Sequence, residues 1–286
     1  MTSPEAAEPA GTRRSWAALL LPALGPALVL GLWWLAGRWL ASQRFFDRFT
    51  LERTAVALFD LVLSGELWLH ILTSLRRIAI GLGASFVFGF PLGVLVGSVP
   101  WFSRASSTVF QFARMVSPLS WTPLAIMLFG IGDNPVVFLL TMAGVWPIVL
   151  STASAVASFD RRLGAVGRAL GATKLEIART IVWPSIRPQV LTGVRVSIGL
   201  GWVVLVPAEM LGVDSGLGYF ILSTRDRLAY ADLMAGIVIV GGLGWCLDAA
   251  ARRVLSERPR TSNAREARSP GGNHASTFAA PLDQKT

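Results

Sequence analysis

The chain is poor in the residues that carry most enzyme chemistry. Its 286 residues include one cysteine, Cys246, two histidines, His70 and His274, and two lysines, Lys174 and Lys285. A lone cysteine excludes an intrachain disulfide, and these few Cys and His side chains cannot assemble a zinc site, so no metal site is expected. A nucleophile–histidine pair would have to use His70. It sits in Leu67-Trp68-Leu69-His70-Ile71-Leu72, the edge of an amphipathic helical pattern, where packing or an interfacial position is the simpler account. Neither lysine stands in a G-x-x-x-x-G-K-[ST] loop, in which backbone amides and a lysine cradle phosphates. Lys174 lies between Thr173 and Leu175, and Lys285 between Gln284 and Thr286. If ATP is consumed, another chain binds it. The chain reads as a non-enzyme with no cofactor of its own.

Charge is scarce as well. Charged residues make up 15% and hydrophobic ones 53%, with a mean hydropathy of +0.56, whereas a soluble domain carries about 25% charged residues. The apolar residues come in blocks of about twenty, the length that crosses a bilayer core. An ordinary soluble enzyme is excluded. The net charge is +9, and 24 of the 26 basic residues are arginine. These arginines flank apolar blocks instead of lining one basic face, so they orient a membrane protein and do not bind nucleic acid. Membrane lipid is an expected partner.

Residues 1–14 form a polar tail ending in Arg13-Arg14. A first apolar block follows at 15–35. A basic pair before such a block also opens secretory and twin-arginine signals, but this block is long for a signal and is read as an uncleaved first helix. Residues 36–77 mix Arg38, Arg44, Arg48 and Arg53 with Asp47, Glu52, Asp60 and Glu66, a pattern for short amphipathic helices at the interface. The second block, 78–99, carries Gly89, Gly93 and Gly97, a small-xxx-small stripe for close helix packing. The third, 106–130, is interrupted by Pro118 and Pro123. Blocks four, five and six fall at 135–156, 190–211 and 231–250, with a polar loop at 158–189 before the fifth. The expected architecture is an all-α integral membrane domain, 15–251, with six transmembrane helices, followed by a disordered tail at 252–286. An even count puts both termini on one side. Basic residues in 158–189, at Arg13-Arg14 and at Arg252-Arg253 mark that side as cytoplasmic, although the six arginines of 36–77 run against this.

Glu209 is the acid well inside the end of a predicted membrane block. An intramembrane carboxylate is expensive, so it is either a functional group or an acid paired or hydrated at the interface. Pro118, Trp121 and Pro123 either border a translocation pathway or kink a helix. Arg76, Arg77, Arg114 and Arg195 either make a path friendly to anions or snorkel at interfaces. Asp248 and Arg252 have the spacing of an i,i+4 pair.

The polar loop holds the most informative pattern. Apolar residues at 166, 170, 175, 178 and 182 fall near helical spacing, Gly171 can bend the chain, and Pro184 and Pro188 are expected to stop the second segment. Two short amphipathic helices around a glycine bend offer a compact apolar face to a groove on another protein. The segment resembles the coupling loop of binding-protein-dependent ABC importer permeases, whose pattern is E-A-A, three residues, G, nine residues, I-x-L-P. Gly171, Ile181 and Pro184 fall on the glycine, isoleucine and proline, while Ala165-Val166-Gly167 stands for Glu-Ala-Ala and Trp183 for leucine. Ser117-Pro118-Leu119-Ser120-Trp121-Thr122-Pro123-Leu124-Ala125 and Phe129-Gly130-Ile131-Gly132-Asp133 resemble the nitrate/sulfonate/taurine branch. Val206-Pro207-Ala208-Glu209-Met210-Leu211 and Gly216-Leu217-Gly218-Tyr219-Phe220 do so too. The resemblance covers roughly 66–253.

It implies a type I ABC importer-like fold in the bacterial inner membrane, with both termini and the coupling loop cytoplasmic. Two copies of the permease would form the pathway, and separate ABC ATP-binding subunits would hold ATP and Mg. A periplasmic or lipid-anchored solute-binding protein would deliver the solute. Ala165, Gly167, Leu170, Gly171, Ala172, Ile181 and Pro184 would dock on the ATPase, whose closure would rock the helices. The branch points to nitrate, taurine or an alkanesulfonate; other branches carry pyrimidine precursors or aromatic acids. An ion-coupled secondary transporter would want paired intramembrane acids or histidines and an internal repeat, and a membrane enzyme would want catalytic side chains. The coupling loop discriminates among these classes, because only an ABC importer needs it.

Overall fold

Small residues at a four-residue period shape the centre of the molecule. The computed structural model describes residues 16–40 and 49–255, except the side chains of 16–23 and 40, and no strand occurs among them. The expectations for 1–14, for Arg44, Asp47 and Arg48, and for 256–286 lie outside the described residues. The helices are α1 (Trp16–Leu40), α2 (Leu51–Ser64), α3 (Glu66–Ser98), α4 (Pro100–Met115), α5 (Thr122–Phe129), α6 (Asp133–Ala157), α7 (Arg161–Ala169), α8 (Lys174–Ile177), α9 (Trp183–Glu209), α10 (Leu217–Asp226) and α11 (Tyr230–Leu255). A 3₁₀ turn, Pro118–Trp121, precedes α5, and a π-helical turn, Ala178–Val182, joins α8 to α9.

Helix α6 is the centre, packed between α3 and α9. On α3 the positions Gly81, Ser85, Gly89, Gly93 and Gly97 form one stripe facing α6. A Cβ placed on Gly93 would lie 2.6 Å from Thr152 Cβ, and one on Gly97 would lie 2.6 Å from the Ala153 carbonyl oxygen. One on Gly89 would come 3.1 Å from Ile148. The helix backbones therefore approach more closely than any side chain would allow. Across the other face of α6, Ser197 of α9 donates to the Gly144 carbonyl at 2.7 Å. Ile78, Leu139, Leu140, Ala143, Leu205 and Ala208 fill the space between the three helices. Of the most apolar stretch of α6, 61% is buried, against 11% for α11. That contrast separates the centre of the bundle from a helix at its surface.

By length and composition, α3, α6, the run Lys174–Glu209 and α11 can cross a membrane, and a bent pair raises the count among the described residues to five. Helix α1 coincides with the expected first block and is 25 residues long. The single third span expected at 106–130 is instead that bent pair: α4 and Pro118–Phe129 meet at 89°. Pro118 supplies the reason, since it lacks an N–H and Ser117 before it is extended, at ψ 130°, whereas Pro123 sits without conflict in the first turn of α5. The second span starts earlier than expected. Residues 66–77 belong to α3 and not to an interfacial helix, because Gly65, at φ 78°, ends α2 and starts α3. The fifth span also departs from expectation: Pro184 and Pro188 do not stop the segment before it. The π turn widens the backbone just where the Pro184 ring would meet the preceding carbonyls, so the chain stays helical from Lys174 to Glu209. Finally, α11 runs to Leu255, past the boundary placed at 251.

Candidate coupling loop and transport path

One end of the bundle carries residues 158–173, here the loop end. Helix α7 starts at Asp160, whose carboxylate accepts from the Arg162 amide at 2.9 Å. It ends in a Schellman arrangement: the Ala172 amide donates to the Gly167 carbonyl and the Gly171 amide to the Arg168 carbonyl, both at 3.0 Å. Gly171 adopts φ 83° there, a left-handed conformation that glycine takes without penalty. Thr173 then caps α8. Its hydroxyl accepts from the Glu176 amide at 3.3 Å, and the Glu176 carboxylate accepts from the Thr173 amide at 2.7 Å. Gly167 is buried against Ile177 and Ile181, which closes the angle between the two helices.

This divides the sequence candidates into two sets. Gly167 and, half-buried, Ile181 and Ala172 build the turn, while Ala165, Leu170 and Gly171 stand exposed on it. Leu170 is 82% exposed, and Leu163, Val166 and Leu175 are exposed with it. Pro184 is exposed in the first turn of α9. Below the loop, Ile186 and Val190 pack on Ala155, with Phe159 and Val182 alongside. The loop is thus a capped apolar knob continuous with α9.

The far end holds a different assembly. Arg77 of α3 is 1% exposed and Glu209 of α9 is 0% exposed. Arg77 Nη1 donates to Glu209 at 2.8 Å and to the Ser215 carbonyl at 2.6 Å, and its Nε donates to Asp133 at 2.9 Å. Arg76 pairs with the other oxygen of Asp133. Ser74 Oγ lies 2.8 Å from both Glu209 oxygens and accepts from the Leu217 amide. The Gly218 amide donates to Glu209 at 3.0 Å, and the Gly216 amide donates to His70 Nδ1 at 3.0 Å. A buried ion pair is tolerable only when its remaining lone pairs and protons are satisfied, and here the backbone of 215–218 does much of that work. Glu209 is sealed inside protein and lines neither of the two cavities described below. Sequence reasoning missed Ser74 and Asp133 as its neighbours. The available signal was the polar stripe His70, Ser74, Arg77 on one face of an apolar helix.

Between the ends, Pro118 lines a cavity of about 460 Å³ together with Arg114, Trp146, Pro147, Leu200 and Val204. Trp121 and Pro123 do not line it; both are exposed at the start of α5. Asp248 pairs with Arg252 and lies 3.4 Å from Arg195 of α9. Among the described residues no group of His, Cys, Asp and Glu could hold a metal ion.

The chain belongs to the binding-protein-dependent transport system inner membrane component family, whose pattern matches residues 89–255. It is 30% identical to the taurine transport system permease protein TauC of Escherichia coli (strain K12), over 79% of this chain and 84% of that one. It is 32% identical to the nitrate import permease protein NrtB of Synechocystis sp., over 64% of this chain and 66% of that one. The bicarbonate transport system permease protein CmpB of Synechococcus elongatus is 31% identical over 70% of this chain and 74% of its own. A chain of the MetNI methionine ABC transporter, in inward-facing conformations, shares the fold. Its TM-score is 0.55 at 20% identity, over 66% of this chain and 95% of that chain. The protein is therefore a membrane-spanning permease of an ABC importer.

Proposed function

We propose that this permease carries a small oxyanion, of the class of taurine, nitrate or an alkanesulfonate, and is driven by ATP that separate subunits hydrolyse. The loop at 158–189 is the docking site for those subunits and faces the cytoplasm, as do both termini. A solute-binding protein delivers the anion from the other side, and two copies of the chain enclose the path. The substrate class rests on the relatives, which are named for taurine, nitrate and bicarbonate. The single observation that supports the docking site is the capped apolar knob: Leu163, Val166, Leu170 and Leu175 are exposed on a unit continuous with α9. A short rigid helix gripped by a groove passes a rigid-body motion to the helix it extends.

Gly171→Asp tests the docking site. A Cβ there meets nothing within 4 Å, so the cost is a left-handed backbone, about 1–2 kcal/mol, and a charge on the docking surface. Uptake by the transporter should fall at least tenfold while the variant permease still reaches the membrane in wild-type amount. Full ATP-driven uptake would show that coupling runs elsewhere. Growth of a deletion strain tests the solute, on taurine or an alkanesulfonate as sole sulfur and nitrate as sole nitrogen. Unimpaired growth on all three would move the solute to a pyrimidine precursor or an aromatic acid.

A further inference from the structure

A second cavity, of about 370 Å³, lies on the loop side of the first, against the final turns of α6. Its lining is more polar and includes Ser103, Ser107, Gln111 and Ser154. The two cavities share two residues, Arg114 of α4 and Leu150 of α6. The ring of Trp146, in the first, stands 5.8 Å from that of Phe110, in the second. Phe110 and Arg114 are one helical turn apart on the same face of α4. An aromatic pair and a guanidinium therefore mark the boundary between an apolar chamber and a more polar one, whose largely apolar walls also carry hydroxyls and an amide. Leu150 lies seven residues before the end of α6, so this boundary is roughly 10 Å deep from the loop end.

Buried Arg77 is neutralised by Asp133 and Glu209, and exposed Arg195 pairs with Asp248. Arg114 has no carboxylate or hydrogen-bond partner among the described residues, and it faces two cavities. Arg114 is exposed on α4, a helix with no buried residue, so its guanidinium is free to meet a solute in either cavity. Its five donors in a planar fork match a sulfonate, nitrate or carboxylate better than a lysine would.

We propose that Arg114 is the anion-binding residue of the transport path, where it takes the oxyanion group of the solute at the passage from the apolar chamber to the more polar one. The apolar walls of the first chamber accept the rest of an organic anion, and the hydroxyls and amide of the second receive the anionic group after Arg114 releases it. This deepens the oxyanion reading above and rests on it.

The test uses the whole transporter in proteoliposomes, with ATP inside, the binding protein outside, and taurine and nitrate as probes. Arg114→Gln should lower the kcat of anion uptake about tenfold or more, with KM unchanged, since the binding protein sets it. Thermal stability and binding-protein-stimulated ATP hydrolysis should stay at wild-type levels. Arg114→Cys, made with Cys246→Ser, should regain uptake with an aminoethyl methanethiosulfonate but not with the neutral methyl reagent. Excess transported anion should slow that modification. Full uptake by Arg114→Gln, equal rescue by the neutral reagent, or a loss of uptake that follows a loss of stability would overturn the role of Arg114 alone. Wild-type transporter that moves neither anion would overturn the oxyanion reading, and this assignment with it.

Discussion

The two ends of the bundle are held by opposite means. At the far end, Arg77, Glu209 and Asp133 are joined across three helices, and backbone amides at the start of α10 close on the carboxylate and on Ser74. At the loop end, the connection between α7 and α8 is held by caps and a left-handed glycine, and its leucines stand in the open. The far end is complete within one chain, since each buried charge finds its partners there. The loop end is locally rigid but leaves apolar surface exposed, which is what the proposed docking role calls for. Between them lies the glycine stripe, which sets how α3 and α6 meet and thereby brings Arg77 to Asp133.

The sharpest way to break this contrast is Glu209→Ala. It strands a buried guanidinium and should cost about 3–5 kcal/mol of stability in denaturant unfolding of the micellar protein. Replacing both partners, Arg77→Met with Glu209→Leu, should recover most of that loss. A cost below about 1 kcal/mol would mean that water reaches the far end and that the lock described there is an ordinary surface pair. Next comes Gly93→Val, whose Cβ would press on Thr152. Overpacking of this kind costs about 1–3 kcal/mol, whereas Gly83→Ala on the same helix, with nothing within 4 Å, should stabilise by about 0.5–1 kcal/mol. Equal effects of the two would deny that the stripe sets the α3–α6 distance. The smallest effect belongs to the loop end. Thr173→Ala removes the cap of α8 and should cost about 1 kcal/mol. Amide exchange at Glu176 and Ile177 should accelerate about fivefold, with global unfolding nearly unmoved. A global shift as large as that of Glu209→Ala would make the two ends alike.

The knob was legible in the sequence because everything that builds it is local. Gly171, the Thr173 cap and the apolar spacing of Val166, Leu170 and Leu175 lie within ten residues of one another. The spans were legible for a similar reason, since twenty apolar residues in a row announce themselves. What failed were boundaries that depend on backbone accommodation. A proline reads as a helix stop, yet a π turn lets α8 continue through Pro184, whereas Pro118 does turn the chain. Glu209 drew notice as a lone acid, but its partner Arg77 lies 132 positions away, beyond any spacing rule.

The sequence by itself determined that the protein lies in a membrane and that residues 158–189 carry a glycine bend between apolar residues at helical spacing. Each of these is a sum over neighbours in the chain: hydropathy and turn residues. Only the tertiary structure decided which charges are spent on stability and which are left facing a cavity. Arg77 sits on an apolar helix packed into the bundle, Arg114 on an amphipathic helix with no buried residue. The register imposed by close-packed glycines carries one to Asp133 and Glu209 and leaves the other open, and charge pairing depends on distance in space, not on distance along the chain.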